Sequence, residues 1–336
     1  MPRVKSASLS IPVIHFLSER CSCRKRALLL NSRIRWLRLS WGRQLAEQPD
    51  IAVMNPNLVI RNTLDYRQFG TIDGQLVVYF HGTPGAPEEC AVFDQYGKEN
   101  NLTFISYDRF AIDPTLEDTA YYQQLADEIA DKAAGRAVDL VGFSIGGFIA
   151  LQVCRLMENS VRSLHLISAA APLEAGNFID MAAGKDVFRL AQTHPSVFQL
   201  LARLQGLIAA AFPSRVFRMM FADAAGEDRA LAANREFQIV ITGVLKSCFN
   251  RHAQGYVRDI QAYVQPWNNT LSGIGVNTHI WHGAEDNWSP VSMADYLASA
   301  IPGCISTEIF SALSHYPCLY RAMPEICRQL AVASGD

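Results

Sequence analysis

The chain has 336 residues, 49% of them apolar, with a formal net charge of −2, enough for a sizeable core without metal or disulfide staples. Its eight cysteines (Cys21, Cys23, Cys90, Cys154, Cys248, Cys304, Cys318 and Cys327) form no CxxC pair and no cysteine–histidine zinc spacing, and read as reduced, mostly buried thiols of a cytoplasmic protein. The charge is split: residues 1–45 hold ten Lys or Arg against the single acid Glu19, a net of +9 that leaves −11 for the remainder, and an acidic body excludes a nucleic-acid binder, which needs clustered cations on its folded surface.

Residues 1–53 show no core-forming period and are read as a basic extension outside the fold. Three origins fit them: a transit-type targeting segment, a basic arm that meets anionic partners, or sequence upstream of a start at Met54. The third is favoured, because the patterned sequence begins just after Met54. The apolar run at 11–17 contains His15 and lacks a small-residue cleavage site, which argues against a secretory signal. No stretch elsewhere reaches the roughly 18 uninterrupted apolar residues of a membrane span. The best candidate, residues 197–212, is broken by Gln199, Arg203 and Gln205, so a soluble chain without a span is expected.

Beyond Met54 short strand-like runs alternate with longer helical ones. Residues 66–82 suggest a hairpin turning at Asp73-Gly74 and feeding a buried strand at 76–80. A helix is expected after Pro87, a strand at 102–108, and a polar helix from Pro114 and Thr115 to about Ala134, stopped at Gly135. Then come strand AVDLVGFS, a helix at 146–158 and strand VRSLHLISAAAP. Such alternation predicts an α/β fold: a doubly wound, mostly parallel sheet with helices on both faces.

From 173 to about 267 the period changes. Val197, Leu200, Leu201, Leu204, Ile208 and Ala211 mark one helical face ended by Pro213, and REFQIVITGVLKSCF reads as another helix. The segment is therefore an inserted helical unit, flanked by core segments at 54–172 and 268–336. The alternation resumes with strand NTHIWHG, a helix after Ser289-Pro290, strand CISTEIF, and a closing helix from Pro324 to about Ala331.

At 142–146 the sequence GFSIG puts Ser144 where a strand gives way to a helix. GxSxG alone arises by chance in roughly one chain in ten of this length. The strand and helix around it give it weight, because a sharp strand-to-helix turn exposes the hydroxyl and needs small neighbours. Gly142 and Gly146 let the backbones approach, and Gly147 lets the helix pack on the sheet. A serine hydroxyl attacks at neutral pH only if a base takes its proton. His315, directly after strand CISTEIF, is placed for that in the loop following a late strand. His165 and His279 lie inside strands, His194 and His252 in the insertion, and His282 too close to the acid. A carboxylate must orient the imidazole; Asp286 in WHGAEDNWSP is the choice, with Glu285 as alternate. Oxyanion donors are expected from the amide of Ile145 and from HGTPG at 81–85, where Gly82 permits a tight turn, Thr83 offers an amide and Pro84 offers none.

Residues 60–172 and 268–333 resemble the α/β-hydrolase superfamily: HGTPG, the GxSxG elbow, GxxD at 283–286 and His315 follow its order, and the insertion falls where the family places its cap, after its sixth strand. HGTPG is similar to the HGGPG of proline iminopeptidases, and YDRFAID to the YDRPGxG turn of related groups. Phe110-Ala111 replaces that turn's proline-glycine, and Ser314 stands where a glycine commonly precedes the histidine. Asp108 and Arg109 of this turn are read as structural. The resemblance implies an acyl-enzyme on Ser144, hydrolysed by water that His315 activates, with no metal or organic cofactor. Phe198, Leu201, Leu204, Phe212, Phe217, Met219, Met220 and Phe221 suggest an apolar chamber, hence a small or medium ester with an apolar part. Two rivals remain: an aminopeptidase or amidase, for which Asp223, Glu227 and Asp228 could hold a substrate amine, and a non-catalytic receptor on the same fold.

Overall fold

The structure, a computed structural model, describes residues 64–116, 118–250 and 253–332; the basic extension, Met54 and His252 lie outside them. Its centre is a seven-stranded sheet in the order β1-β3-β2-β4-β5-β6-β7. The strands are β1 (Tyr66–Gly70), β2 (Gln75–Phe80), β3 (Leu102–Tyr107), β4 (Val138–Phe143), β5 (Val161–Ile167), β6 (Thr278–Gly283) and β7 (Cys304–Phe310). β1 runs antiparallel to β3 and all other neighbours are parallel. β3 and β4 are buried along their whole length, which suits their near-continuous apolar runs, whereas the edge strands β1 and β7 are largely exposed and more polar.

The expected hairpin does not form. β3 lies between β1 and β2, and the chain after β1 bonds to it instead: the Thr71 amide donates to the Leu102 carbonyl and the Gln75 amide to that of Asn101. The fully buried β3 finds cover on both edges this way, which a two-stranded hairpin would deny it.

The helices between strands are α1 (Asp94–Glu99), α2 (Asp118–Ala133) and α3 (Ile145–Met157). Between β5 and β6, among the described residues, the chain forms only helices: α4 (Phe178–Met181), α5 (Lys185–Thr193), α6 (Pro195–Ala211), α7 (Pro213–Met220), α8 (Gly226–Ala232), α9 (Arg235–Cys248) and α10 (Gln254–Tyr263), with short 3-10 turns. α11 (Val291–Ala300) and α12 (His315–Val332) complete the set. No helix among the described residues is long and apolar enough to cross a membrane.

One further expectation fails. α12 begins at His315, nine residues before Pro324, which lies inside it; its first amides are held from outside the helix, so no N-terminal proline is needed to start it. The stripe of Val197, Leu200, Leu201, Leu204 and Ile208 on α6 does not pack inward. The buried side carries Phe198, Ala202, Gly206 and Ala209, and Gly206 approaches the backbone of Phe249, so small residues decide which side α6 buries.

Candidate active site

In a parallel sheet the segments that leave the carboxyl ends of the strands share one edge, and four of them converge here. β2 leads into His81–Gly85, β4 into Ser144, β6 into Asp286, and β7 into His315. Ser144 adopts φ 57° and ψ −129°, a conformation that L-residues rarely hold, between β4 and the first residue of α3. The turn is fixed on both sides: the Ser144 amide donates to the Ile167 carbonyl (3.0 Å), and its own carbonyl accepts from the Gly147 (2.9 Å) and Ala170 (3.2 Å) amides. A Cβ on Gly146 would collide with the carbonyl oxygens of Phe80 and His81, so the elbow can sit this close to β2 only with glycine there. At Gly82 a Cβ would meet only ordinary contacts, with Phe143 and Ser144; the crowded glycine of that loop is Gly85, against the Gly82 carbonyl.

Asp286 and His315 are brought together. His315 Nδ1 donates to Asp286 Oδ2 at 2.7 Å with both side chains buried. Asp286 Oδ1 accepts the amides of Trp288 (2.8 Å) and Ser289 (2.9 Å), so the carboxylate is oriented before it meets the imidazole. Burial works against the charged Asp286, but His315, His282 and the Ser289 amide outweigh it and hold the carboxyl below its usual range. Burial likewise opposes protonation of His315, and the Asp286 charge and hydrogen bond, helped by Asp228 and Glu89, lift it above its ordinary 6.5. The imidazole lies between the Phe143 ring (4.8 Å) and that of Trp288 (5.5 Å, nearly parallel). Ser144 directly follows Phe143, yet among the described residues its hydroxyl makes no direct hydrogen bond to His315. Such contacts are often loose without substrate.

The other expected residues fall as follows. Glu285 is exposed, with Oε2 against Gly226. His282 Nε2 donates to the Ser289 carbonyl (2.7 Å) and lies 3.6 Å from Asp286, behind the carboxylate. His165 stacks on His279 within the sheet, and burial takes it down to about 3, out of reach of acid–base work near neutrality. His194 is exposed at the junction of α5 and α6. The amides of Thr83 and Ile145 donate no hydrogen bond among the described residues, although each side chain is buried.

Sequence reasoning missed the supports. Glu89 Oε2 accepts the Gly82 amide (2.9 Å) and the Tyr79 hydroxyl (3.0 Å), and burial raises this carboxyl to about 6. Arg109, read as structural, is buried, pairs with Asp259 of α10 (2.9 Å) and donates to the Thr83 hydroxyl (2.9 Å). Asp228 of α8 accepts the amides of His315 (2.8 Å) and Tyr316 (3.0 Å) at the start of α12, which makes His315 the first residue of a helix instead of a loop residue. A carboxylate near an unmatched helix start was the one available signal; nothing in the sequence pairs 228 with 315. Of the apolar chamber only part is internal: Phe198, Phe217 and Phe221 are buried, while Leu201, Leu204, Phe212 and Met219 face solvent.

The sequence matches the alpha/beta hydrolase family over residues 77–327. The chain belongs to this family. A search of curated proteins finds no match. Solved structures share the fold at low identity. A bromoperoxidase from Bacillus anthracis is 19% identical with a TM-score of 0.58, covering 81% of this chain and 95% of its own. An esterase from Exiguobacterium antarcticum is 20% identical at 0.54, covering 80% and 95%. An enol-lactonase from Burkholderia xenovorans is 15% identical at 0.54, covering 81% and 96%. In this α/β-hydrolase both departures from the resembled motifs face the insertion. Phe110 packs so tightly on Gly255 of α10 that any Cβ there would overlap it, and the Ser314 hydroxyl accepts the Asp228 amide (2.8 Å).

Proposed function

We propose that this α/β-hydrolase is a serine esterase acting on a small or medium ester with an apolar part. Ser144 attacks the acyl carbon while His315 takes its proton through Nε2, and Asp286 keeps Nδ1 protonated and stabilises the imidazolium. The amides of Thr83 and Ile145 receive the oxyanion, a group worth about 10² to 10³ in turnover per donor. Collapse of the tetrahedral species expels the alcohol, which takes the proton from His315, and a water activated by the same imidazole releases the acid. Residues 173–267 act as the cap over this site. The observation that carries the reading is the positive-φ elbow at Ser144 beside a buried His315–Asp286 pair. The esterase and the enol-lactonase among the structural neighbours are compatible with acyl transfer from an oxygen leaving group.

An ester is favoured over an amine-bearing peptide because the candidate amine-binding acids are unsuited to the task. Asp228 is buried on the α12 amides, while Asp223 and Glu227 are exposed. The aromatic cluster of Phe217, Phe221, Phe237, Trp288 and Tyr316 lies beside the imidazole and offers apolar contact. The reduced thiols expected from the sequence fit a cytoplasmic enzyme. A fluorophosphonate probe should label the wild type at neutral pH and leave Ser144→Ala unlabelled, and Asp286→Asn should lower kcat by about 10⁴. Absence of labelling in the wild type defeats the reading and favours the receptor. Faster turnover of aminoacyl anilides than of p-nitrophenyl esters would move the assignment to the amidase.

A further inference from the structure

α6 is apolar on two opposite sides. At about 100° per residue, Val197, Leu200, Leu204, Leu207 and Ile208 fall within one arc opposite the buried Phe198, Ala202 and Ala209. All five are exposed, Leu200 by 58% and Leu207 by 64%. A helix on a protein surface ordinarily turns polar side chains to water; this one turns leucines. Phe212 (55%) and Met219 (66%), directly after α6 and on α7, are exposed as well. Exposed apolar surface gathered in this way marks a docking face.

Charge identifies what docks. Between Asp186 and Asp223 the sequence has four arginines and no acid, while the rest of residues 46–336 carries −15. Arg189 pairs with Asp180. Arg203, Arg215 and Arg218 are exposed with no ion pair among the described residues, and the Arg215 guanidinium lies 4.8 Å from the Phe212 ring centroid, a cation laid along the apolar patch. A second copy of the chain across this face would set arginines against arginines with no acid to answer them. An anionic headgroup layer over hydrocarbon answers both the cations and the leucines.

We propose that this face of the insertion docks on lipid bilayers bearing anionic headgroups. The α6 leucines enter the boundary between headgroups and acyl chains, and Arg203, Arg215 and Arg218 hold the phosphates. The helix lies along the surface and does not span it.

The test is co-sedimentation of the full chain with vesicles of phosphatidylcholine alone or mixed with phosphatidylglycerol. The wild type should bind the mixed vesicles, and less so as salt rises. Leu200→Glu with Leu207→Glu should weaken partitioning at least ~10-fold at unchanged melting temperature, since both side chains already face water. Exchanging the three arginines for glutamine should weaken binding and flatten its salt dependence. The proposal is overturned if the wild type ignores mixed vesicles, or if the leucine variant binds as well as the wild type, which would assign binding to the basic residues 1–45. It is equally overturned if the wild type sediments as a dimer that the leucine variant dissociates while vesicle binding is absent.

Discussion

Two buried aspartates on helices between β5 and β6, Asp228 of α8 and Asp259 of α10, reach segments of the core, and they are neutralised differently. Asp259 meets the guanidinium of Arg109 at 2.9 Å and also takes the Thr83 hydroxyl (3.1 Å) and the more distant Tyr121 hydroxyl (3.3 Å). Among the described residues Asp228 forms no ion pair with Lys or Arg; it takes two amides at the start of α12, where the helix dipole favours an anion. Burial accordingly raises the Asp228 carboxyl above its usual range, against the pull of His315 and those amides. One aspartate holds the His81–Gly85 loop through Thr83, the other the helix that begins with His315. A full ion pair makes the first a matter of stability, whereas the second also bears on the charge of His315.

That contrast can be broken experimentally. The largest effect is expected from Asp259→Ala, which leaves Arg109 buried without its partner: a loss of about 3–5 kcal/mol in urea unfolding, with the acid limb of the pH–rate profile unmoved. Arg109→Met with Asp259→Leu should recover most of that loss; no recovery would mean that the pair positions the loop in a way that packing cannot replace.

Next comes Glu89, which senses Arg109 on one side and His315 on the other. Its folded-state value of about 6 stands above the ordinary 4.5, so the protonated form is preferred in the fold. This contribution is complete below pH 4.5 and lost as pH rises through 6. At about 1.4 kcal/mol per pH unit it amounts to ~2 kcal/mol. Glu89→Gln should therefore gain on the wild type between pH 4 and 8 by roughly that amount, read as the difference between paired unfolding curves. Parallel curves would show that Glu89 ionises freely in the folded protein.

Asp228→Asn should cost about 1 kcal/mol as a weakened helix cap. It should also lower the His315 value, because Asp228 supports the imidazolium, so activity persists to lower pH. An acid limb that stays in place would reduce Asp228 to the same purely structural part as Asp259. The smallest effect is expected from Ser314→Gly, about 0.5–1 kcal/mol in melting, since it removes one hydrogen bond to the α8 backbone.

The elbow was legible in the sequence because its requirements are local: an apolar strand, small residues around Ser144 and an apolar helix follow one another within fifteen residues. The His315–Asp286 pair was legible for a different reason, since parallel strands carry their trailing loops to a common edge and chain order alone then nominates them. The α6 stripe marked a helix but not its cover, because periodicity reports that one side of a helix is apolar and cannot say which side is covered. Phe110 and Ser314 looked like departures from motifs, but they are contacts to α10 and α8.

By itself the sequence determined the alternation of strands and helices, the mostly parallel sheet, the strand-to-helix turn at Ser144 and the run of helices before the last two strands, all of which follow from the spacing of apolar residues and glycines along a few turns of chain. Only the tertiary structure decided that β3 enters between β1 and β2, that α12 begins at His315, that Asp228 of α8 and Asp259 of α10 are buried against the core, and that α6 shows leucines to solvent. Each of these depends on which surface covers which, and burial and electrostatic pairing between residues 87 to 150 positions apart leave no periodic trace in the chain.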